Sequence, residues 1–371
     1  MFFWLFRRAV SYTVWGVIDS DGKLAEFLKA LQAADWVAID TEADSLHAYP
    51  EKLCLLQISM GEADRLVDPL APIHLQALWQ ALKERQLILH GGDYDLRLLR
   101  KKHGFVPSRI FDTMVASRLL GEKEFGLFNL VKKHLGVELE KGSQKADWAR
   151  RPLTPRMEAY ARNDTHFLKP LSDILRGQLR EKGRLDWLEQ SCARLIADCA
   201  LPTPPEPDLV WRVKGSHKLP NQSLAVLREM WRWREQEAIG ANRPPYFVLS
   251  HEALVDIAAA AGNNGEVETL LPRRFSARRK DSLLEAIQKG LALGPDEQPR
   301  PLRPSSQRQT EPERRRFLEL ERRRNERAAK LDLDPTLIAS RATLAALARD
   351  WNVHQVELMD WQREQLTGDN N

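Results

Sequence analysis

Cysteine is scarce in this chain: three residues of 371, Cys54, Cys192 and Cys199. So few and so scattered, they exclude a disulfide framework and a thiolate zinc site, and they point to a reducing compartment. Long apolar runs are missing too. Met1-Phe-Phe-Trp-Leu-Phe6 is greasy but stops at Arg7-Arg8, whereas a membrane span needs about 20 residues. No cleavable signal pattern follows. The expectation is a cytoplasmic protein with no membrane partner and no evident obligate protein partner. An excess of one charge is also absent: Lys plus Arg minus Asp plus Glu is 56 − 52 = +4, too mild to demonstrate a nucleic-acid partner. What remains is an ordinary globular composition, 43% hydrophobic and 29% charged, which excludes wholesale disorder. The length predicts two or three domains.

Proline divides the chain. Leu201-Pro-Thr-Pro-Pro-Glu-Pro207 and Gly294-Pro-Asp-Glu-Gln-Pro-Arg-Pro-Leu-Arg-Pro304 read as stiff linkers, giving candidate domains 12–200, 208–292 and 305–371. In the first, Trp36–Asp40, Leu53–Ser59 and Leu87–His90 are short apolar runs between polar turns, hence buried strands. Helical stretches such as 75–85 and 96–102 alternate with them, which predicts an α/β domain with a mixed sheet. Beyond Pro207 helical periodicity takes over and a repeat at an offset of 90 emerges. Glu229, Arg232, Arg234, Ala238, Pro245, Ser250, Leu254 and Ala258 recur as Glu319, Arg322, Arg324, Ala328, Pro335, Ser340, Leu344 and Ala348. Two small all-α domains in tandem are expected.

Carboxylates carry the chemical signal. Asp40 and Glu42 end the first strand two residues apart, so they face the same side. Like charges there repel unless a cation lies between them, and hard divalent ions take such oxygen ligands. The bland alternative makes one a turn cap and leaves the other solvated. Asp95 follows the Gly91-Gly92 turn and enters the first turn of a helix, where an acid also suits the helix dipole; Asp93 is a neighbouring decoy. Thr154-Pro155 starts another helix. Tyr160 and Asp164 stand four apart on one of its faces, although a surface Asp beside a half-buried Tyr would look the same.

The ordered set is more specific than its members. Asp-Thr-Glu on a first strand, Asp after a Gly turn and Tyr-Ala-Arg-Asn-Asp on a late helix resemble the DEDDy 3′→5′ exonucleases, and among them the ribonuclease D family. Lys145–Thr154, Ile110-Phe-Asp-Thr-Met114 and Leu119-Leu-Gly121 resemble the family as well, and the two helical repeats resemble its HRDC domains. One departure is Ala43-Asp44, where many members carry an aromatic residue. It bears on how a terminal base is wedged.

The resemblance implies a ribonuclease H-like α/β fold followed by two HRDC-like domains, and hydrolysis of RNA from its 3′ end with two divalent ions, Mg²⁺ or Mn²⁺. It implies that Asp40 bridges both ions, that Glu42 and Asp164 hold the one activating water, and that Asp95 supports the other. Tyr160 would orient the attacking water; a phenol with an ordinary pKa of about 10 is a poor base. Gln57 could touch the site, or serve only the backbone. The implied substrates are the 3′ trailers of tRNA precursors and other small structured RNAs. Grip on RNA is expected from the helical half. Residues 301–330 hold ten Lys/Arg against five Glu, and Arg273, Arg274, Arg278, Arg279 and Lys280 form a second cluster. Glu/Arg pairs on a solvated helix are the alternative for 311–327. Trp231 and Trp233 could stack bases, but such a pair more often includes a core residue. A DNA-directed exonuclease and a silent RNA-binding scaffold are the competing functions; four intact carboxylates speak against the second. A chain ending near Pro207 is expected to fold and cleave by itself.

Overall fold

The computed structural model describes residues 16–61, 63–140, 142–201, 208–302 and 310–367. The apolar Met1–Arg8 stretch, Pro202–Pro207 and the end of the second linker lie outside them. Five strands, β1 (Val37–Ala43), β2 (Leu53–Met60), β3 (Ala63–Val67), β4 (Gln86–Leu89) and β5 (Arg109–Asp112), form one sheet. Its order is β3-β2-β1-β4-β5. β1, β2 and β3 pair antiparallel, and β4 and β5 run parallel to β1, so the sheet is mixed as expected. β2 is buried at all positions, the mark of a strand covered on both faces. The parallel half needs helical crossovers. Gln76–Lys83 leads into β4, and Asp93–His103 joins β4 to β5. Two strands escaped the sequence reading: β3, half polar at the sheet edge, and β5, four residues long.

The chain packs as two compact units. The first gathers the described parts of Met1–Ala43, Leu53–Leu201 and Glu311–Asn371; the second gathers those of Asp44–Lys52 and Pro202–Thr310.

In the first unit the final repeat lies on the α/β body and shares its core. Buried Arg184 donates to the carbonyls of Leu119 and Leu331, both at 2.7 Å. Trp187 stacks on fully buried Trp361 with 4.9 Å between ring centroids. At Gly121 the backbone has φ +92, and a Cβ there would stand 2.2 Å from the Asp332 carbonyl oxygen, so only glycine permits that approach. The expectation that residues up to Pro207 fold alone therefore meets a structural objection: the apolar faces of Leu168–Glu181 and Leu185–Ala200 belong to a core that residues after 310 complete.

In the second unit the Asn221–Ala241 and Ala277–Leu291 helices meet closely at Gly290, where a Cβ would stand 2.5 Å from the Val226 Cα. Trp231 and Trp233 pack against this unit's core, and Trp233 Nε1 donates to Ser282 at 3.0 Å; they are framework. Residues 44–52 are tied here by the Tyr49 hydroxyl donating to Glu235 and the Tyr49 amide donating to Asn242 Oδ1 at 3.3 Å.

The repeat is one of geometry as well as letters. Buried Arg234 donates to the Leu249 carbonyl, and buried Arg324, 90 residues on, donates to the Ala339 carbonyl. Ser250 and Ser340 each cap the following helix. Asn242 and Asp332 share left-handed φ values of 46 and 51. Much of the expected basic stripe is internally paired: Arg322 and Arg323 bind Glu319, and Arg278 and Arg279 bind Glu237.

Candidate active site

β1 delivers the first two acids. Ligand atoms of Asp40, Glu42 and Asp164 all lie within 4.8 Å of one another, the first two placed by strand alternation and the third by the Pro155–His166 helix. That helix starts where sequence chemistry puts it, with Thr154 Oγ1 accepting the Met157 amide at 3.2 Å and Pro155 in the first turn. Trp148, fully buried, rests against Tyr160 with ring centroids 6.1 Å apart. Arg151 grips Asp68 through two nitrogens at 2.5 and 2.7 Å. The 145–154 segment thus clamps the helix to β2 and β3.

Asp95 is buried and stands outside the triplet, accepting the Thr41 hydroxyl. The turn ahead of it is organised by Asp112, whose carboxylate accepts the amides of Gly91 (3.1 Å), Gly92 (2.8 Å), Met114 (2.8 Å) and Val115 (3.1 Å). The Ile110–Met114 segment thereby fixes the start of the helix that carries Asp95. Asp93 faces away, ion-paired with Arg97 at 3.0 Å. Gln57, opposite Asp40 in the β1–β2 register, donates to Asp40 Oδ2 at 3.3 Å, so it does touch the site. Its Oε1 has no hydrogen-bond partner among the described residues. Sequence reasoning missed Thr41, Asp112 and Gln144, the last a hydrogen-bond partner of Tyr160. The contacts that tie them to the site (Thr41 to Asp95, Asp112 to Gly91 and Gly92, Gln144 to Tyr160) lie far off in sequence, although Asp112 also caps its own helix through Met114 and Val115.

Electrostatics set the character of the cluster. Burial, then Asp95, Asp164 and Glu42, hold the Asp40 carboxyl well above its ordinary range. Burial and the neighbouring acids push Glu42 up to about 9. Asp95 and Asp164 are raised too, chiefly by burial. Tyr160 is raised by burial and then by the acids around it, so its phenol keeps its proton and hydrogen-bonds Asp164. A cavity of about 460 Å³ opens beside it, lined by Arg156, Asn163, Phe167, Val137 and Leu139 among others.

Several half-buried carboxylate oxygens converging without a cationic side chain among them suit a hard divalent ion. The consequence for stability has a definite sign. A carboxyl raised in the folded state keeps a proton that the unfolded chain gives up near pH 4.5. The contribution of this cluster to metal-free stability should therefore be full below that pH and fall as pH rises toward 9. The loss is on the order of a few kcal/mol, at about 1.4 kcal/mol per pKa unit. Melting curves in EDTA should drop by several degrees from pH 5 to pH 9, and Mg²⁺ should restore most of the loss. Parallel EDTA and Mg²⁺ series would contradict this.

A family model described as 3′–5′ exonuclease matches residues 16–180, and one described as HRDC domain matches 223–267. A ribonuclease D of Zymomonas mobilis is 34% identical over 295 residues, covering 76% of this chain and 74% of its own length. A ribonuclease D of Pseudomonas paraeruginosa is 30% identical over 362 residues, 94% of either chain. The chain belongs to the ribonuclease D family. This ribonuclease D-like protein is a 3′–5′ exoribonuclease, a hydrolase. The crystal structure of Escherichia coli RNase D, described as an exoribonuclease involved in structured RNA processing, aligns with a TM-score of 0.72 at 25% identity, over 96% of this chain and 92% of that one. A Bifidobacterium adolescentis protein, 24% identical, shares the fold with a TM-score of 0.81 over 95% of both chains. Among the described residues no helix is long and apolar enough to cross a membrane.

Proposed function

We propose that this exoribonuclease holds two divalent ions, Mg²⁺ or Mn²⁺, on Asp40, Glu42, Asp95 and Asp164, and trims the 3′ ends of tRNA precursors and other small structured RNAs in the cytoplasm. The observation that carries the reading is the half-buried Asp40–Glu42–Asp164 convergence. When bound, the ions supply charge neutralisation for the attacking and leaving oxygens of an in-line displacement. The chain's own part is positional. Asp40, Glu42 and Asp164 present oxygens into one volume, and Thr41 and the Asp112-organised turn hold Asp95 at its edge. Tyr160, a protonated phenol beside Asp164, orients the attacking water rather than deprotonating it. The sequence modules 12–200, 208–292 and 305–371 are retained as the exonuclease and two HRDC-like parts. The buried arginines and shared caps of the two helical copies support the second HRDC assignment. Substrate choice rests on the structured-RNA description of the E. coli relative.

Matched RNA and DNA oligonucleotides incubated with Mg²⁺, Mn²⁺ or EDTA test the chemistry, and sequencing RNA 3′ ends in cells with and without the protein tests the substrate. Longer tRNA 3′ trailers in the depleted cells are the expected result; unchanged trailers would refute that assignment. Tyr160→Phe should lower kcat on the order of 10²-fold with little change in KM, since a positioning contact matters at the transition state. Single-turnover rates equal to wild type would reduce Tyr160 to a packing residue.

A further inference from the structure

Exposed aromatic rings are uncommon in the second unit, and two of them are side by side. Tyr246 is 47% and Phe247 51% exposed, with ring centroids 4.3 Å apart and planes tilted by 38°. They stand on the four-residue Pro245–Val248 helix, entered through Pro244 and Pro245, whose fixed φ angles stiffen the mount. Arg274 donates to the Phe247 carbonyl at 2.8 Å, and the Tyr246 hydroxyl donates to the Leu46 carbonyl at 3.3 Å. The pair is held in place without being covered.

Two further observations say what could cover it. The first is charge. Arg243, Arg273 and Arg274 are exposed around this helix, and among the described residues none of the three is ion-paired. Arg278 and Arg279, by contrast, are taken up by Glu237. The second is the internal repeat. The same element in the other copy, Pro335–Ile338, carries Thr336 and half-buried Leu337 at the matching positions, and Leu337 packs into the core. The fold itself does not require two exposed rings there. Flat π faces flanked by guanidinium groups with no carboxylate partner among the described residues match the bases and phosphates of a single strand.

We propose that Tyr246 and Phe247, with Arg243, Arg273 and Arg274, form a stacking platform for unpaired nucleotides upstream of the RNA 3′ end being removed. The proposal rests on the exoribonuclease activity for its ligand and deepens it, by assigning grip on the single strand to these rings rather than to Trp231 and Trp233.

The test uses the full chain and 5′-fluorescein oligoadenylates of three to twenty nucleotides, with binding read by anisotropy in EDTA. Wild type should gain affinity with length, and Tyr246→Ala/Phe247→Ala should lose about tenfold or more on the longest oligonucleotide, in line with one or two stacked bases, while binding the trinucleotide unchanged. Tyr246→Phe/Phe247→Tyr, which keeps both rings, should match wild type. Abasic nucleotides upstream of the 3′ end should weaken wild type and leave the Ala pair unaffected. An equal length gain in the Ala pair would overturn the platform, as would equal abasic penalties in both proteins or a loss shared by the ring-swapped variant. Failure of wild type to shorten the long oligonucleotide in Mg²⁺ would instead count against the nuclease reading, because the binding series does not depend on cleavage.

Discussion

Asp164→Asn should reduce RNA hydrolysis at saturating Mg²⁺ on the order of 10³-fold or more. The carboxylate is one of three whose oxygens converge within 4.8 Å, and Asn keeps its size while deleting a full ligand charge. Charge stabilisation by bound metal is worth several kcal/mol at the transition state, and each 1.4 kcal/mol is about tenfold in rate. The variant should nevertheless fold, because a repulsive partner leaves a buried acidic cluster. In EDTA at pH 9 it should melt above wild type, since Glu42 is held up partly by Asp164. Asp40→Asn should behave alike. RNA binding should survive both changes. Turnover near wild type in either purified protein would remove the metal-site assignment.

Ending the chain near Pro207 should cost most of the first unit's stability, contrary to what its linker suggests. The cut strips the cover from Trp187, unpairs one donor of buried Arg184 and opens the core reached by Trp361 and Leu366. Loss of a large buried aromatic alone costs about 3–5 kcal/mol, against a typical total of about 5–15 kcal/mol. Aggregation, or melting lowered by tens of degrees, is the expected outcome. Gly121→Val in the full chain is the graded version, combining a φ of +92 with a clash against Asp332. A fragment ending at Pro207 that melts cooperatively within a few degrees of the full chain would show that the last repeat is dispensable.

The contrast between these two results marks what the sequence can disclose. Asp40 and Glu42 were legible because strand alternation is local, and Tyr160 with Asp164 because a helical turn is local. Asp95 gained weight only from its place in the ordered set. Thr41 lies between two acids, yet its role depends on Asp95, 54 residues away. Arg324 reads as part of a basic stripe but is buried and donates to a carbonyl, as does its repeat counterpart Arg234. An amphipathic helix shows that one face will be covered without saying by what, which is why the companion of residues 311–367 could not be read. Edge strand β3 and the short β5 lack enough residues for any period to show.

Traced along the polypeptide, the first unit is interrupted and resumed: its body ends at Leu201 and its last helices begin at Glu311. Residues 202–310 are in that sense an insertion within it. Covalent continuity is then not what joins the body to its final helices. A protease that nicks both proline-rich junctions should produce three peptides on a denaturing gel, while the first and third migrate together under native conditions. The Trp187–Trp361 stack and the Arg184 bridge would hold them as a non-covalent pair. The two parts of the first unit could accordingly be made as separate chains and reassembled.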